Sequence, residues 1–548
     1  MHISHDIKEG TAMSDKINNW TSSDDQMVET AIRRGASRRE LLQMMLMGGV
    51  AATAGSAILG RATAAVAAEP VRGGFVKAAG FSASTADTLD PAKASNATDY
   101  VRCSALYNRL TFLNGAGETT MELAESIESK DAKVWIVKLR KGVAFHDGKS
   151  LTSADVVFSL NRHLDPAVGS KVNALAKQIV QVKAIDAQTA EITLEAPNAD
   201  LPTILALHHF MIVADGTTDF SKGNGTGPFI LKEFQPGVRS IAARNENYWK
   251  ERKANLEGFE FFAIGDETAR MNAVLSGDIQ LAANLNPRSL RVLENNPAAN
   301  LFISKLGTYT DLNVRLDVAP GDKQGVAEGF KYLINRDVIK KSVLRGLAEI
   351  ANDHPIPDTN KYHNAELKQR EFDPERAKAL FAKAGVLGQE IQITAAEAAS
   401  SSLDYAVVVQ QAASKIGLKV AINRVPSDGY WSNHWIKDAV HFGNINARPT
   451  PDILFSLLYK SDAAWNETGY KSEKFDSMLL EARGLLDDAK RKQIYGEMQA
   501  MVSNGAGTVI PVFMSNVDAI SPKLKGLTPN PLGGMMGYTF AEHAWLEA

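Results

Sequence analysis

Trp135-Ile136-Val137-Lys138-Leu139-Arg140-Lys141-Gly142-Val143-Ala144-Phe145-His146-Asp147-Gly148, followed by Leu151-Thr152-Ser153-Ala154-Asp155-Val156-Val157, is the stretch on which the reading of this 548-residue chain turns. Trp135, Val137 and Leu139 alternate with Ile136, Lys138 and Arg140, the period of a strand with one face buried. Lys141-Gly142 then turns the chain into Val143-Ala144-Phe145, which predicts a hairpin, and His146-Asp147-Gly148-Lys149 makes a second tight turn. Thr152-Ser153-Ala154-Asp155 has the spacing of a capping box and opens a helix that buries Val156, Val157, Leu160 and Leu164. His146 and Asp147 have the composition of an acid–base pair, but neighbours at a turn are explained more simply as side chains that satisfy the backbone.

Upstream, Gly74 to Ala79 reads as a first strand closed by the turn Thr88-Leu89-Asp90-Pro91, and a helix carrying Val101, Ala105 and Leu106 follows. Downstream, Gly225-Thr226-Gly227-Pro228 breaks the chain before strand Phe229-Ile230-Leu231, and Gln235-Pro236-Gly237 turns it into Val238 to Ala243. From about residue 322 the text becomes more helical, around Val326 to Leu344, Pro374 to Ala384 and Leu403 to Ile416. Gly417 caps the last of these before strand Lys419 to Asn423. A long helical segment, Ser472 to Val502, puts Ile494, Tyr495, Met498, Met501 and Val502 on one stripe, which reads as core. The pattern is mixed α/β without an internal repeat.

A chain of this length, 45% hydrophobic and 22% charged, is globular and large enough for several compact units. Its net charge of -3 comes without a basic stripe, so no nucleic-acid partner is expected. Cys103 is the one cysteine, which excludes an intramolecular disulfide and a cysteine zinc site and predicts a small buried side chain. At the N-terminus, Ser37-Arg38-Arg39-Glu40-Leu41-Leu42-Gln43 precedes a mildly apolar run from Met44 to Leu59 and the small residues Ala64 to Ala68. This looks like a twin-arginine export signal, with Arg38 and Arg39 its arginine pair, and predicts cleavage near Ala67 or Ala68. No cysteine lies at that point, so a periplasmic protein that is not a lipoprotein is expected, with residues 1–68 as polar extension and signal.

Motifs for catalysis fail on spacing. Gly148-Lys149-Ser150 resembles the end of a phosphate-binding loop, but Val143 stands where a glycine is needed. Gly223, Gly225 and Gly227 lack the spacing of a dinucleotide site, and neither a Gly-x-Ser-x-Gly elbow nor a His-Glu-x-x-His pair occurs. Adjacent His208 and His209 point to different sides and suit structural roles better than a shared metal. No catalytic residue, metal or cofactor is therefore expected. A secreted hydrolase using paired acids such as Asp452 and Asp462, and a periplasmic sensor or chaperone, are the rival readings.

Taken together the motifs resemble family 5 of the extracytoplasmic solute-binding proteins of ATP-binding-cassette importers, the peptide, opine and nickel class. Beside the opening stretch, the marks are Thr88-Leu89-Asp90-Pro91, Thr226-Gly227-Pro228-Phe229, Arg244-Asn245-Glu246-Asn247-Tyr248-Trp249, Ser276-Gly277-Asp278-Ile279, Ile334-Asn335-Arg336 and Phe475-Asp476. The resemblance implies an α/β fold of the type II periplasmic-binding-protein kind, with two lobes, a hinge and an extra subdomain, as in the cluster C type. It places lobe I at 69–95, 225–305 and 506–548, the extra subdomain at 96–224 and lobe II at 306–505. It also implies a monomeric carrier of a peptide or peptide-like solute. Its partners would be the inner-membrane permease with its cytoplasmic ATPase subunits and, from the signal, the twin-arginine export machinery.

Peptide-binding relatives hold the ligand's ammonium with an aspartate just before an aspartate-proline turn. Here the matching stretch is Phe442-Gly443-Asn444-Ile445-Asn446-Ala447-Arg448-Pro449-Thr450-Pro451-Asp452. One register puts Arg448 in the aspartate's place, where its fork would pair with a carboxylate or phosphate and repel an ammonium. The other leaves Asp452 as the anchor. A separate reading makes Arg448 a surface arginine, paired to Asp452 or solvated. Asn444 and Asn446 would present amides on one side beside Arg448, and Trp465-Asn466 an aromatic wall and a hydrogen bond. Trp431 and Trp435, four apart, read as helix packing.

Overall fold

A computed structural model describes residues 70–293 and 296–547. The export signal at Arg38-Arg39 and its cleavage point lie outside the described residues, and the account below concerns the unit Arg72–Ala548.

The chain enters through β1 (Phe75–Gly80) and α1 (Ala97–Leu106), whose N-terminus is capped by Asn96 Oδ1 accepting from the Asp99 backbone N–H at 3.1 Å. Ala97, Val101 and Ala105 of α1 pack on Val76, Phe229, Phe259 and Phe261, so α1 belongs to the first lobe's core. The core of the extra subdomain starts at Leu110, a later boundary than the expected residue 96. That subdomain is an antiparallel sheet of β2 (Ala124–Ser129), β3 (Val134–Leu139), β4 (Ile179–Asp186) and β5 (Thr189–Leu194) in the order β2-β3-β5-β4, with α2 (Ser153–Arg162) against it.

Trp135, Val137 and Leu139 do face the core. The expected hairpin to Val143-Phe145 does not form: β3 is already paired on both edges, by β2 and β5, and Ala144 instead bridges Ser150. Asp155 accepts from the Thr152 N–H at 2.7 Å and its hydroxyl at 2.9 Å, fixing the start of α2. The His146 ring lies between the Gly223 and Gly227 carbonyl oxygens at 3.2 and 3.1 Å, and Asp147 exchanges hydrogen bonds with Asn224, so the pair staples this subdomain to the loop entering the first lobe. In that loop a Cβ on Gly225 would lie 2.0 Å from the Leu106 carbonyl oxygen, a contact that glycine alone admits.

Next come β6 (Phe229–Gln235), β7 (Arg239–Arg244), β8 (Gly258–Ala263) and β9 (Leu281–Ala282), then β10 (Asn300–Val314). The second lobe adds α3 (Val326–Leu333), α4 (Pro374–Lys383), β11 (Glu390–Ala395), α5 (Ser402–Lys415), β12 (Lys419–Arg424), the short α6 (Tyr430–Asn433) and β13 (Val440–Ile445). It continues through α7 (Pro451–Leu458), α8 (Glu473–Gly484) and α9 (Asp488–Gly505), and β14 (Val512–Ile520) returns to the first lobe. One twelve-stranded sheet contains the path β12-β11-β13-β10-β14-β9-β1-β8-β7-β6.

Two expected helices are interrupted. The segment from Val326 ends at Leu333, and Asn335 caps a new turn by accepting from the Val338 N–H at 3.0 Å. The segment Ser472–Val502 breaks after Gly484, because Asp487 accepts from the N–H groups of Ala489 and Lys490 and starts α9 afresh. The predicted stripe on α9 is core: Tyr495, Met498 and Val502 are fully buried, with Ile494 and Met501 beside them. Cys103 is buried. No helix among the described residues is long and apolar enough to cross a membrane.

Candidate functional site

β10 belongs to both lobes. Asn300–Lys305 pair with β14, the register shifts between Lys305 and Thr308, and Tyr309–Val314 pair with β13. The chain leaves β13 beside this crossing, where the strand ends at Ile445, and runs through Asn446, Ala447 and Arg448 to the N-cap of α7. Both ends of that link are pinned. The Ala447 N–H donates to Thr308 Oγ1 at 3.2 Å, and Thr450 Oγ1 accepts from the Ile453 N–H at 3.3 Å. An arginine on so short a link has a defined direction.

Arg448 is half-buried, and its Nη1 donates to the carbonyl oxygens of Asn446 and Ala447 at 3.4 and 3.2 Å. Among the described residues no carboxylate forms an ion pair with it. Burial holds its guanidinium below the ordinary arginine range, offset in part by Tyr309 and Tyr100. Tyr100 of α1 and His209 of the extra subdomain in turn feel the Arg448 charge, so the guanidinium lies near both.

This neighbourhood is aromatic and neutral. The Tyr100 ring lies 5.1, 5.4 and 5.4 Å from those of His208, His209 and Tyr538. His208 Nε2 meets the Gly537 carbonyl oxygen at 3.1 Å and His209 Nε2 that of Ala94 at 3.0 Å. Burial pushes His209 down to about 4 and His208 well below the ordinary histidine range, so both imidazoles are uncharged at neutral pH. Each histidine has its own carbonyl partner, as expected for structural roles.

The other sequence-predicted residues are placed as follows. Asn446 is exposed next to Arg448. Asn444 gives its amide to Thr310 Oγ1 at 2.9 Å and the Tyr309 carbonyl at 3.3 Å, holding β13 to β10. Trp465 is 36% exposed and packs edge-on against Trp435 at 5.4 Å, which meets Trp431 at 5.5 Å. Asn466 spends its side chain inside its own loop, donating to the Tyr470 carbonyl at 2.7 Å and accepting from the Tyr470 N–H at 3.1 Å.

Asp452 turns away from this edge: it is 5% exposed, accepts from Arg483 Nε at 2.9 Å, and is pushed up to about 6 by burial despite that partner. Asp462 is exposed on Lys460, so these two acids do not converge. No cluster of His, Cys, Asp and Glu suited to a metal occurs among the described residues.

Tyr100, Tyr538 and a buried acid pair, Asp311 and Glu467, were missed in the sequence. The pair lies over Gly443, whose added Cβ would stand 2.0 Å from Glu467 Oε1 and 2.5 Å from Asp311 Oδ1. Burial raises both acids, Asp311 to about 7, and Asp311 raises Glu467 further, while the hydrogen bond from Glu467 favours the ionised form of Asp311. The alternation Tyr309-x-Asp311-x-Asn313 within a strand was the available signal.

Comparison with known proteins adds an independent line. A model of the bacterial extracellular solute-binding proteins, family 5 (middle part), matches residues 118–466. Heme-binding protein A of Haemophilus influenzae is 27% identical, over 81% of this chain and 88% of that protein. The dipeptide-binding protein of Escherichia coli K12 is 26% identical, over 81% and 90%. The structure of the periplasmic binding protein DppA of Helicobacter pylori, associated with an ABC transporter and holding the peptide STSA, superposes with a TM-score of 0.69 at 25% identity, covering 87% of this chain and 99% of that one.

Proposed function

The chain belongs to the bacterial extracellular solute-binding proteins of family 5, and from that membership we propose that it is the periplasmic component of an ATP-binding-cassette importer that holds a carboxylated peptide or peptide-like solute on Arg448. The fold is that of the type II periplasmic binding proteins, in which closing lobes enclose the solute and the permease reads the closed form. Export through a twin-arginine signal at Arg38-Arg39, release without a lipid anchor, and lobe limits near those expected from the sequence belong to the same reading.

The carrying observation is Arg448: a guanidinium held at the edge of the lobe crossing, with two backbone carbonyls for company and a neutral aromatic face opposite. A cation in such a place is stabilised by a bidentate carboxylate, and hydrogen bonds of that charged kind contribute about 1.5–3 kcal/mol. Asn446 would supply a second polar contact and Trp465 an aromatic wall, whereas Asn444 and Asn466 spend their amides within the protein. The names of the relatives, one binding heme and one dipeptides, support a solute of peptide size or larger.

A thermal-shift screen of the purified protein against dipeptides, oligopeptides, opines, glutathione and carboxylated sugars tests this. A ligand at one hundred times its dissociation constant adds about 2.7 kcal/mol of stability. Stabilisation by a carboxylated compound that Arg448→Ala abolishes is the expected result. A hit retained by the variant would keep the carrier and discard the anchor.

A further inference from the structure

We propose that Asp200 and Arg491 form a latch outside the solute site: the pair is made when the second lobe closes on the extra subdomain and parts when it opens, and so it sets solute affinity from a distance. The inference rests on the carrier reading above and deepens it, adding a determinant of affinity that touches no solute.

Both covalent links of the extra subdomain run to the first lobe, since the chain enters it from α1 and leaves it through the loop that ends at Pro228 before β6. Its strongest non-covalent ties run the same way. Lys250 Nζ of the first lobe lies 2.7 Å from Glu122 of the subdomain and 2.9 Å from Glu542, and both carboxylates are buried. The Trp249 indole packs on the subdomain core, and the His146 ring sits between the Gly223 and Gly227 carbonyl oxygens. The subdomain therefore travels with the first lobe.

The second lobe meets it across a narrow face. Arg491 Nη2 donates to Asp200 Oδ1 at 2.5 Å, the Ala199 N–H donates to the Arg483 carbonyl at 2.8 Å, and Ile453 is the one second-lobe residue, among the described residues, in the subdomain core. No sheet spans this face, whereas β10 and β14 pair through the lobe crossing, with a register shift between Lys305 and Thr308. Rotation at that shift parts the face and leaves every sheet intact.

The pair can part with little loss. Arg491 keeps partners in its own lobe: Nη1 donates to the Tyr362 hydroxyl at 2.7 Å, Nε to the Ala482 carbonyl at 3.2 Å, and the exposed Asp488 carboxylate lies 3.8 Å away. Asp200 Oδ2 is buried without a hydrogen-bond partner, which water supplies once the face opens. Asp452 adds like charge on the facing side: burial first, and Asp200 in addition, push it up to about 6 against the pull of Arg483. In buried pairs of this kind desolvation and attraction nearly cancel, so the margin for closure is small enough for a solute to decide. While the empty protein is mostly open, each factor by which the latch favours closure is a factor in solute affinity.

Pro197 and Gly484 supply the probe. A Cβ added at Gly484 stands 3.5 Å from Pro197 Cβ, within the span of a disulfide, so Pro197→Cys/Gly484→Cys oxidises only while the face is closed. Cys103 is buried and does not compete. The rate of oxidation by diamide is measured on the purified protein without solute. Adding Asp200→Lys is expected to slow it by at least about tenfold, and the swap Asp200→Lys/Arg491→Glu to restore it. X-ray scattering is expected to give the oxidised protein a smaller radius of gyration than the Asp200→Lys variant. A rate unchanged by Asp200→Lys, a loss that the swap does not restore, or equal radii overturns the latch. None of these measurements uses a solute or Arg448, so a failed solute screen leaves the latch standing, and its failure leaves the carrier reading standing.

Discussion

Arg491 Nη2 on α9 donates to Asp200 Oδ1 at 2.5 Å, with both side chains 4% exposed, and so ties the second lobe to the extra subdomain. The join is wider than one pair. The Ala199 N–H donates to the Arg483 carbonyl at 2.8 Å, Arg483 holds Asp452, and Ile453 of α7 packs among residues of the subdomain core.

Removing one partner of a buried pair leaves an uncompensated charge and costs about 3–5 kcal/mol. Arg491→Met is therefore expected to lower the urea midpoint strongly, and the double variant Asp200→Leu/Arg491→Met to recover most of the loss. A single variant as stable as the parent would show that the pair holds nothing together.

Gly225→Ala tests the close approach of the loop to α1. The new Cβ would meet the Leu106 carbonyl oxygen at 2.0 Å and the Tyr107 ring at 2.5 Å, with backbone on one side and a buried ring on the other. Overpacking of this kind costs about 1–3 kcal/mol or more. Gly142→Ala, where the space is open but φ is +76°, probes conformation without contact. Denaturant midpoints of the two variants separate steric from torsional strain, with Gly225→Ala expected to lose more.

Stability is expected to rise with pH to a plateau above about pH 6.5, because two buried histidines outweigh one raised acid acting in the opposite direction over the same range. His209 and His441 are held down to about 4 from 6.5, chiefly by burial. Between these values the unfolded chain binds more protons, so their contribution is complete above about pH 6.5 and is lost as pH falls toward 4, at most about 3 kcal/mol each. Asp452 is raised from 3.8 to about 6, so its contribution is present below 3.8 and lost as pH rises through 6. Urea midpoints from acid to neutral pH measure the curve, and His441→Asn should flatten its acid limb.

Much of the fold was legible because it is written in short-range patterns. The alternation at Trp135–Leu139, the Thr152–Asp155 cap and the α9 stripe each depend on neighbours within a few residues. The errors came where distant partners decide. Val143–Phe145 is no strand because β5, from far along the chain, already holds that edge, and α1 joins the first lobe through Phe229 and Phe261. The break before α9 was legible in principle, since Asp487 is a capping residue following Gly484.

The site was legible only in part. Arg448 could be named from its stretch, but its aromatic setting comes from Tyr100 of the first lobe and His209 of the extra subdomain. Glu467 reaches Asp311 only because β13 presents a glycine between them. No local pattern encodes either meeting.

The most direct test is calorimetric binding of the best carboxylated solute from the screen, and of its carboxamide, to the wild type and to Arg448→Ala. The account predicts one site per chain, a wild-type preference for the free carboxylate of at least about tenfold, and no preference in the variant. Equal affinity of the wild type for acid and amide, or a preference that survives without Arg448, would contradict it.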